Sequence, residues 1–184
     1  MNAVTHIYFD WSKTLAIPKT RDIFIATSTL SVLYPDTLFT LKYLYEKGYT
    51  LGIISNTHKN PEHFIKALSK SGLMKFFKGT IALSSEPTLC RKACKKIFKY
   101  CLSRDNVSPE HTVMVGDEYQ SDVLGGLSVG MNAIYINRDH EQEPVLKSKS
   151  KSKSKSKSKS KSNNSLKNPT VITVNEIGDI LNYL

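Results

Sequence analysis

The sequence predicts an α/β fold, a three-layer sandwich in which helices cover both faces of a central parallel sheet. Three observations carry this expectation. Short runs rich in β-branched, aromatic and aliphatic residues recur six times along the 184 residues, and helical patterns separate most of them. Some of these runs are apolar throughout, as in strands buried on both faces. Three of them end in a carboxylate or a hydroxyl, and ligands of parallel sheets bind outside the carboxyl ends of the strands.

Residues 4–9 (V-T-H-I-Y-F) form the first strand, and a polar loop beginning Asp10-Trp11-Ser12-Lys13-Thr14 follows it. Residues 22–33 alternate apolar and small polar types, which favours a small β-hairpin over a short helix. Asp36 opens a helical pattern carried by Leu38, Leu41, Leu44 and Tyr45 and stopped by Gly48. Residues 49–54 are a second, buried strand running into Ser55-Asn56. Asn60-Pro61-Glu62 has the form of a cap and first turn, leading a helix through Phe64, Ile65 and Leu68 to Gly72. A short strand near residues 80–83 precedes a helix over about 91–102. Residues 112–115 are a continuous apolar strand ending in Gly116-Asp117, followed by a helix over about 121–129. Residues 133–136 and 171–174 supply the last two strands, and 176–184 a closing helix.

The formal charge of +10 comes mostly from one tract. Residues 147–162 strictly alternate Lys and Ser; without their eight lysines, 18 basic residues face 16 acidic ones, a balance of +2. The rest of the chain is therefore no basic nucleic-acid-binding domain. Apolar content of 40% is enough to fill one core, and residues 1–184 read as a single domain. The tract cannot bury a core face, so residues 139–169 read as a low-complexity, disordered insertion between two strands. No apolar run approaches the ~20 residues a membrane-spanning helix needs, and the N-terminus lacks the features of a signal peptide. Cys90, Cys94 and Cys101 are an odd number in one short segment. They make a poor disulfide framework, fit a reducing, intracellular setting, and read as a half-buried helix stripe with Leu89, Ala93 and Ile97. The five histidines show no ligand spacing; His58 reads as an exposed loop residue.

Asp10 and Asp117 stand at strand ends, Asp122 follows five positions later, and Ser55 ends a third strand. Taken singly, each aspartate could cap the following helix. In a parallel sheet, however, these ends share one edge. Carboxylates a few ångströms apart repel, so their convergence calls for a cation or shared protons. A few hard oxygen ligands suit Mg²⁺, held by one or two carboxylates with water and a phosphate.

Four segments extend this pattern in order along the chain. They are Asp10-Trp11-Ser12-Lys13-Thr14-Leu15, Ile53-Ile54-Ser55-Asn56, Arg91-Lys92-Ala93 with Ile97-Phe98-Lys99-Tyr100, and Val115-Gly116-Asp117-Glu118 with Ser121-Asp122-Val123-Leu124-Gly125. Together they resemble the four motifs of the haloacid dehalogenase superfamily, most of whose members are phosphatases. The resemblance covers nearly the whole chain outside residues 139–169 and implies a Rossmann-like sandwich. It implies that Asp10 is the nucleophile, attacking phosphorus to form an aspartyl-phosphate. Mg²⁺ would be held by Asp10, Asp117 and Asp122 with the backbone carbonyl of Ser12. Ser55 and Asn56 would contact the phosphoryl group, and Lys92 would offset the gathered negative charge.

Ser12 departs from the family pattern, which has a second Asp there to protonate the leaving group and later activate water. A hydroxyl has no useful pKa for either task near neutrality, and such catalysis is typically worth about 10²–10⁴-fold. The expectation is slow turnover favouring good leaving groups, with a catalytically degenerate binding protein as the alternative. Only the 20 residues 16–35 separate the first loop from the next helix, too few for a lid domain. The cleft is therefore expected to be open, and the resemblance to the superfamily implies that so minimal a cap goes with a phosphorylated substrate that is macromolecular or otherwise bulky. The Lys-Ser tract leaves the same edge of the sheet and reads as repeat expansion in a permissive loop, with an electrostatic lure for anionic partners, nucleic acid included, as the alternative. No membrane partner is expected.

Overall fold

The computed structural model describes residues 3–18, 32–57, 60–86, 89–139 and 169–184. Six strands form one parallel sheet: β1 (His6–Phe9), β2 (Thr50–Ser55), β3 (Ile81–Leu83), β4 (Thr112–Gly116), β5 (Asn132–Ile136) and β6 (Val171–Val174). Their order is β3-β2-β1-β4-β5-β6, with the first strand of the chain at the centre. Side chains alternate between faces along each strand, and the two faces build separate cores. Ile7, Phe9, Leu51, Ile53, Val113 and Val115 pack under α1 (Thr37–Glu46) and α2 (Pro61–Lys70), against Leu41, Leu44, Phe64 and Leu68. On the opposite face Tyr8, Ile54, Ala82 and Met114 meet Ile97, Phe98 and Cys101 of α3 (Lys95–Arg104). This is the expected three-layer, Rossmann-like α/β sandwich.

Register places the site. Phe9 aligns with Ile53 on one side and Val115 on the other, so Asp10, Ser55 and Asp117 emerge at the same edge. The amide of Asp10 donates to the Val115 carbonyl at 2.8 Å, which carries the ladder one residue past β1.

Several elements form as the sequence indicates. Asn60 caps α2, its side-chain oxygen accepting from the Glu62 amide at 2.8 Å, with Pro61 in the first turn. Gly48 ends α1's C-terminal turn at φ 88°, a conformation glycine takes without a Cβ penalty. Others differ. The third helix starts at Lys95 rather than near 91, because residues 91–94 turn Lys92 into the sheet edge. The segment after β4 is a π-helical turn (Tyr119–Val123) leading into a short α4 (Leu124–Leu127). The closing helix is a 3₁₀ helix (Ile177–Asn182), with a reciprocal capping box between Glu176 and Asp179. Asp36 makes no side-chain cap on α1; its carboxylate is engaged elsewhere. The expected hairpin falls largely outside the described residues. Its last two positions return to the first loop, where Val32 accepts from the Ile17 amide and Leu33 bridges Ala16. The Lys-Ser tract, His58 and His140 also lie outside them. No described helix is long and apolar enough to cross a membrane.

Candidate active site at the carboxyl edge of the sheet

The loop after β1 is a tight turn. Leu15 and Ala16 both donate amides to the Trp11 carbonyl, and the Lys13 amide donates to the Ala16 carbonyl at 2.7 Å. Trp11 is buried, meeting Phe64 of α2 edge-on at 5.2 Å between ring centres, and so fixes the loop to that helix. Asp10 is thereby held at the base of the loop, while Ser12 is exposed on it. Ser55 is buried at the end of β2, beside the strand that carries Asp10, and Asn56 next to it is half-buried.

Lys92 joins these strands electrostatically. Its Nζ lies 2.5 Å from Asp10 Oδ1 and 2.6 Å from Asp122 Oδ1, with the lysine side chain only 2% exposed. Burial works against the ammonium, but Asp10 and Asp122 outweigh it and hold the Lys92 pKa above its ordinary value. The backbone of Lys92 is held as well. Its amide donates to Asn56 Oδ1 at 2.8 Å, and its carbonyl accepts from Asn56 Nδ2 at 3.5 Å.

Asp117 follows β4 and accepts from the Thr14 hydroxyl at 3.2 Å. Desolvation, reinforced by the charge of Asp10, pushes its pKa up to about 6. Asp122 is brought back to the strand by the π-helical turn, and a Cβ at Gly116 would collide with its carboxylate. Its second oxygen accepts the Glu118 amide at 3.1 Å. Burial raises the Asp122 pKa despite the opposing pull of Lys92. Carboxylate oxygens of Asp10, Asp117 and Asp122 lie within 4.8 Å of one another, a spacing that could hold a metal ion. The three aspartates and Lys92 singled out in the sequence thus meet at one edge.

Two supporting contacts were not anticipated. Arg138, two residues past β5, donates from Nη2 to the Thr14 carbonyl at 3.1 Å and to Asp36 Oδ1 at 3.3 Å, over the face of Tyr34 at 3.8 Å. Asp36 Oδ2 in turn accepts the amides of Ile177 and Gly178 at 2.8 and 3.2 Å. The first loop, α1 and the C-terminal segment are locked through one carboxylate. Position at the end of a strand was the available signal for Arg138. Thr14 was visible only as part of the first motif.

The cysteine expectation is corrected. Cys90 and Cys94 form a disulfide and share no helix, since Cys94 is the N-cap of α3 and Cys90 lies in the preceding loop. The shortened helix is the reason. Cys101 is buried on α3 against Ile97 and Phe98, as the stripe reading expected of it.

A profile of the family described as haloacid dehalogenase-like hydrolase matches residues 6–136, which contain all four motif segments. The chain belongs to the haloacid dehalogenase-like hydrolases. Within this family it is 36% identical over 119 residues to glyceraldehyde 3-phosphate phosphatase of Methanothermobacter thermautotrophicus, covering 60% of this chain and 50% of that protein. It is 33% identical over 95 residues to a pyrimidine 5′-nucleotidase of Escherichia coli, covering 51% and 40%. The chain thus spans about half the length of the curated relatives it matches. An uncharacterized protein from Listeria monocytogenes serotype 4b superposes with a TM-score of 0.71 at 26% identity, covering 96% of this chain and 94% of that one. A HAD phosphatase from Thermococcus onnurineus does so with a TM-score of 0.53 at 37% identity, covering 60% and 49%.

Proposed function

We propose that this haloacid dehalogenase-like hydrolase is a Mg²⁺-dependent phosphomonoester phosphatase acting through an aspartyl-phosphate on Asp10. The observation that carries the reading is the meeting of buried Asp10, Asp122 and Lys92 with half-buried Asp117 at the carboxyl edge of the sheet. One ammonium cannot balance three carboxylates. Desolvation by burial, and beside it the charge of Asp10, raises the pKa values of Asp117 and Asp122. A donor set of hard oxygens with surplus negative charge fits a hard divalent cation. Asp10, Asp117, Asp122 and the Ser12 carbonyl would hold it. When bound, Mg²⁺ supplies charge neutralisation for the phosphoryl oxygens.

In the first step a carboxylate oxygen of Asp10 attacks phosphorus as the bond to the leaving oxygen breaks. Lys92 stabilises charge on the transferring group, and Ser55 with Asn56 positions it. In the second step water attacks the aspartyl-phosphate, releasing phosphate and restoring Asp10. Ser12 supplies neither the proton for the leaving group nor the base for that water, so good leaving groups are favoured and the second step is slow.

The relatives named above act on glyceraldehyde 3-phosphate and on pyrimidine nucleotides, which supports a small phosphorylated substrate. They lend no support to the expected macromolecular substrate or to nucleic acid as a partner. A second reading rests on Ser12: a protein that binds phosphorylated partners without turnover. Hydrolysis of p-nitrophenyl phosphate by wild type and Asp10→Asn, with Mg²⁺ and with chelator, separates the two. Mg²⁺-dependent activity lost in Asp10→Asn supports the enzyme; no activity in either protein supports the binding reading.

A further inference from the structure

Lys92 reaches its carboxylates from the middle of a small covalent ring. The disulfide between Cys90 and Cys94, whose Cα atoms are 6.1 Å apart, closes residues 90–94 into a loop directly before α3. Asn56 grips the same loop from β2, through its two hydrogen bonds to the Lys92 backbone. One covalent and one hydrogen-bonded constraint therefore act on the residue that bridges Asp10 and Asp122.

We infer that Cys90 and Cys94 are a redox-active dithiol–disulfide site that governs the placement of Lys92. The disulfide holds Nζ on the two aspartates, and the dithiol leaves only Asn56 to do so. The effect on turnover rests on the phosphatase reading; the effect on the Lys92 loop does not.

The chemistry of the surroundings favours such a site. Cys94 is exposed and caps the N-terminus of the ten-residue α3, where the helix dipole stabilises a thiolate. Exposed Arg91, Lys95 and Lys96 add positive charge beside it. Cys90 is half-buried and already aligned as its partner. Cys101 offers the contrast, since burial raises its pKa and shields it from reagents.

The oxidant is a low-molecular-weight disulfide. A thiolate of the pair attacks one of its sulfurs, breaks that S–S bond and expels one thiolate. The second cysteine attacks the mixed disulfide and expels the other. One protein S–S bond forms, one oxidant S–S bond breaks, and the two thiol protons end on the two departing thiols. In a reducing compartment such a pair is transient and regulatory instead of structural.

The test equilibrates the full-length chain in glutathione buffers of stepped reduced-to-oxidised ratio. Three quantities are read: the disulfide-linked peptides left after trypsin cuts at Arg91 and Lys92, amide exchange over residues 90–94, and kcat/KM for p-nitrophenyl phosphate. The expected result is that reduction abolishes the linkage, speeds exchange of the Lys92 amide and lowers kcat/KM by roughly three- to tenfold, as loosened positioning does. Cys94→Ser should match reduced wild type in every buffer, and Cys101→Ala should keep the redox response. Absence of the linkage at every ratio, or exchange and kcat/KM that ignore the ratio, would overturn the inference. If no buffer supports hydrolysis, the phosphatase reading fails, and exchange at Lys92 alone decides the redox site.

Discussion

On the proposed mechanism, the side chain of Ser12 sets which half of the reaction limits the rate. In that mechanism Asp10 with Lys92 and Asp122 provides the nucleophile and the charge balance for phosphoryl transfer, whereas protonating a poor leaving group and then activating water both need an acid–base group that a hydroxyl cannot replace. Ser12→Asp is therefore expected to raise kcat/KM toward an alkyl phosphate by about 10²-fold or more, with a much smaller gain toward p-nitrophenyl phosphate. Steady-state rates on the two esters check this; equal gains would show that leaving-group protonation is not what Ser12 withholds. These residues were legible in the sequence because each sits within a motif segment: Asp10 directly after β1, Ser12 in the loop that follows, Lys92 just before α3 and Asp122 in the turn after β4. Asn56 was legible as a neighbour of the site, though its grip on the Lys92 backbone depends on two loops 36 residues apart and needed the fold.

Among the elements, the C-terminal 3₁₀ helix packs into the core through Ile177 and Ile180 and is also tied, through Asp36 and Arg138, to the loop after β1. The Asp36 carboxylate serves two backbone amides and Arg138, so Asp36→Ala leaves three donors without their acceptor. The expected cost is about 2–3 kcal/mol, or a loss in Tm of several degrees. Thermal unfolding of Asp36→Ala measures it, and an unchanged Tm would remove Asp36 from its linking role. In the sequence Asp36 looked like a helix opener, since an acidic residue before an apolar-periodic run has that form. The carboxylate is recruited by amides more than 140 positions away, which no local pattern encodes. The start of α3 was hidden for a related reason. Residues 91–94 have helical periodicity, but burying Lys92 at the sheet edge and pairing Cys90 with Cys94 override it. By contrast the Asn60-Pro61 start of α2 depends on neighbours two residues apart and was readable directly.

For the molecule as a whole, the alternation of strands and helices specified a parallel sheet, while the order that puts β1 between β2 and β4 is set by the fold. That topology gathers aspartates that repel one another, with a consequence for stability. Asp117 titrates near 6 in the folded chain, above the ~3.9 of an unfolded aspartate. Its protonated form favours the fold, so this contribution is complete below about pH 4 and lost as pH rises through 6. In chelator, the Tm of wild type relative to Asp117→Asn should therefore fall between pH 4 and 7. Mg²⁺ at pH 7 should restore wild type more than the variant. Calorimetry of both proteins tests this; a difference independent of pH and of Mg²⁺ would mean that Asp117 belongs to no charge cluster. Covalent catalysis by Asp10 is tested most directly by rapid-quench hydrolysis of p-nitrophenyl phosphate with Mg²⁺. The expected result is a burst of about one equivalent of nitrophenolate followed by a slow steady state, with a hydroxylamine-labile phosphoryl group on the Asp10 peptide. Steady turnover without burst or labelled peptide, or an unimpaired Asp10→Asn protein, would contradict it.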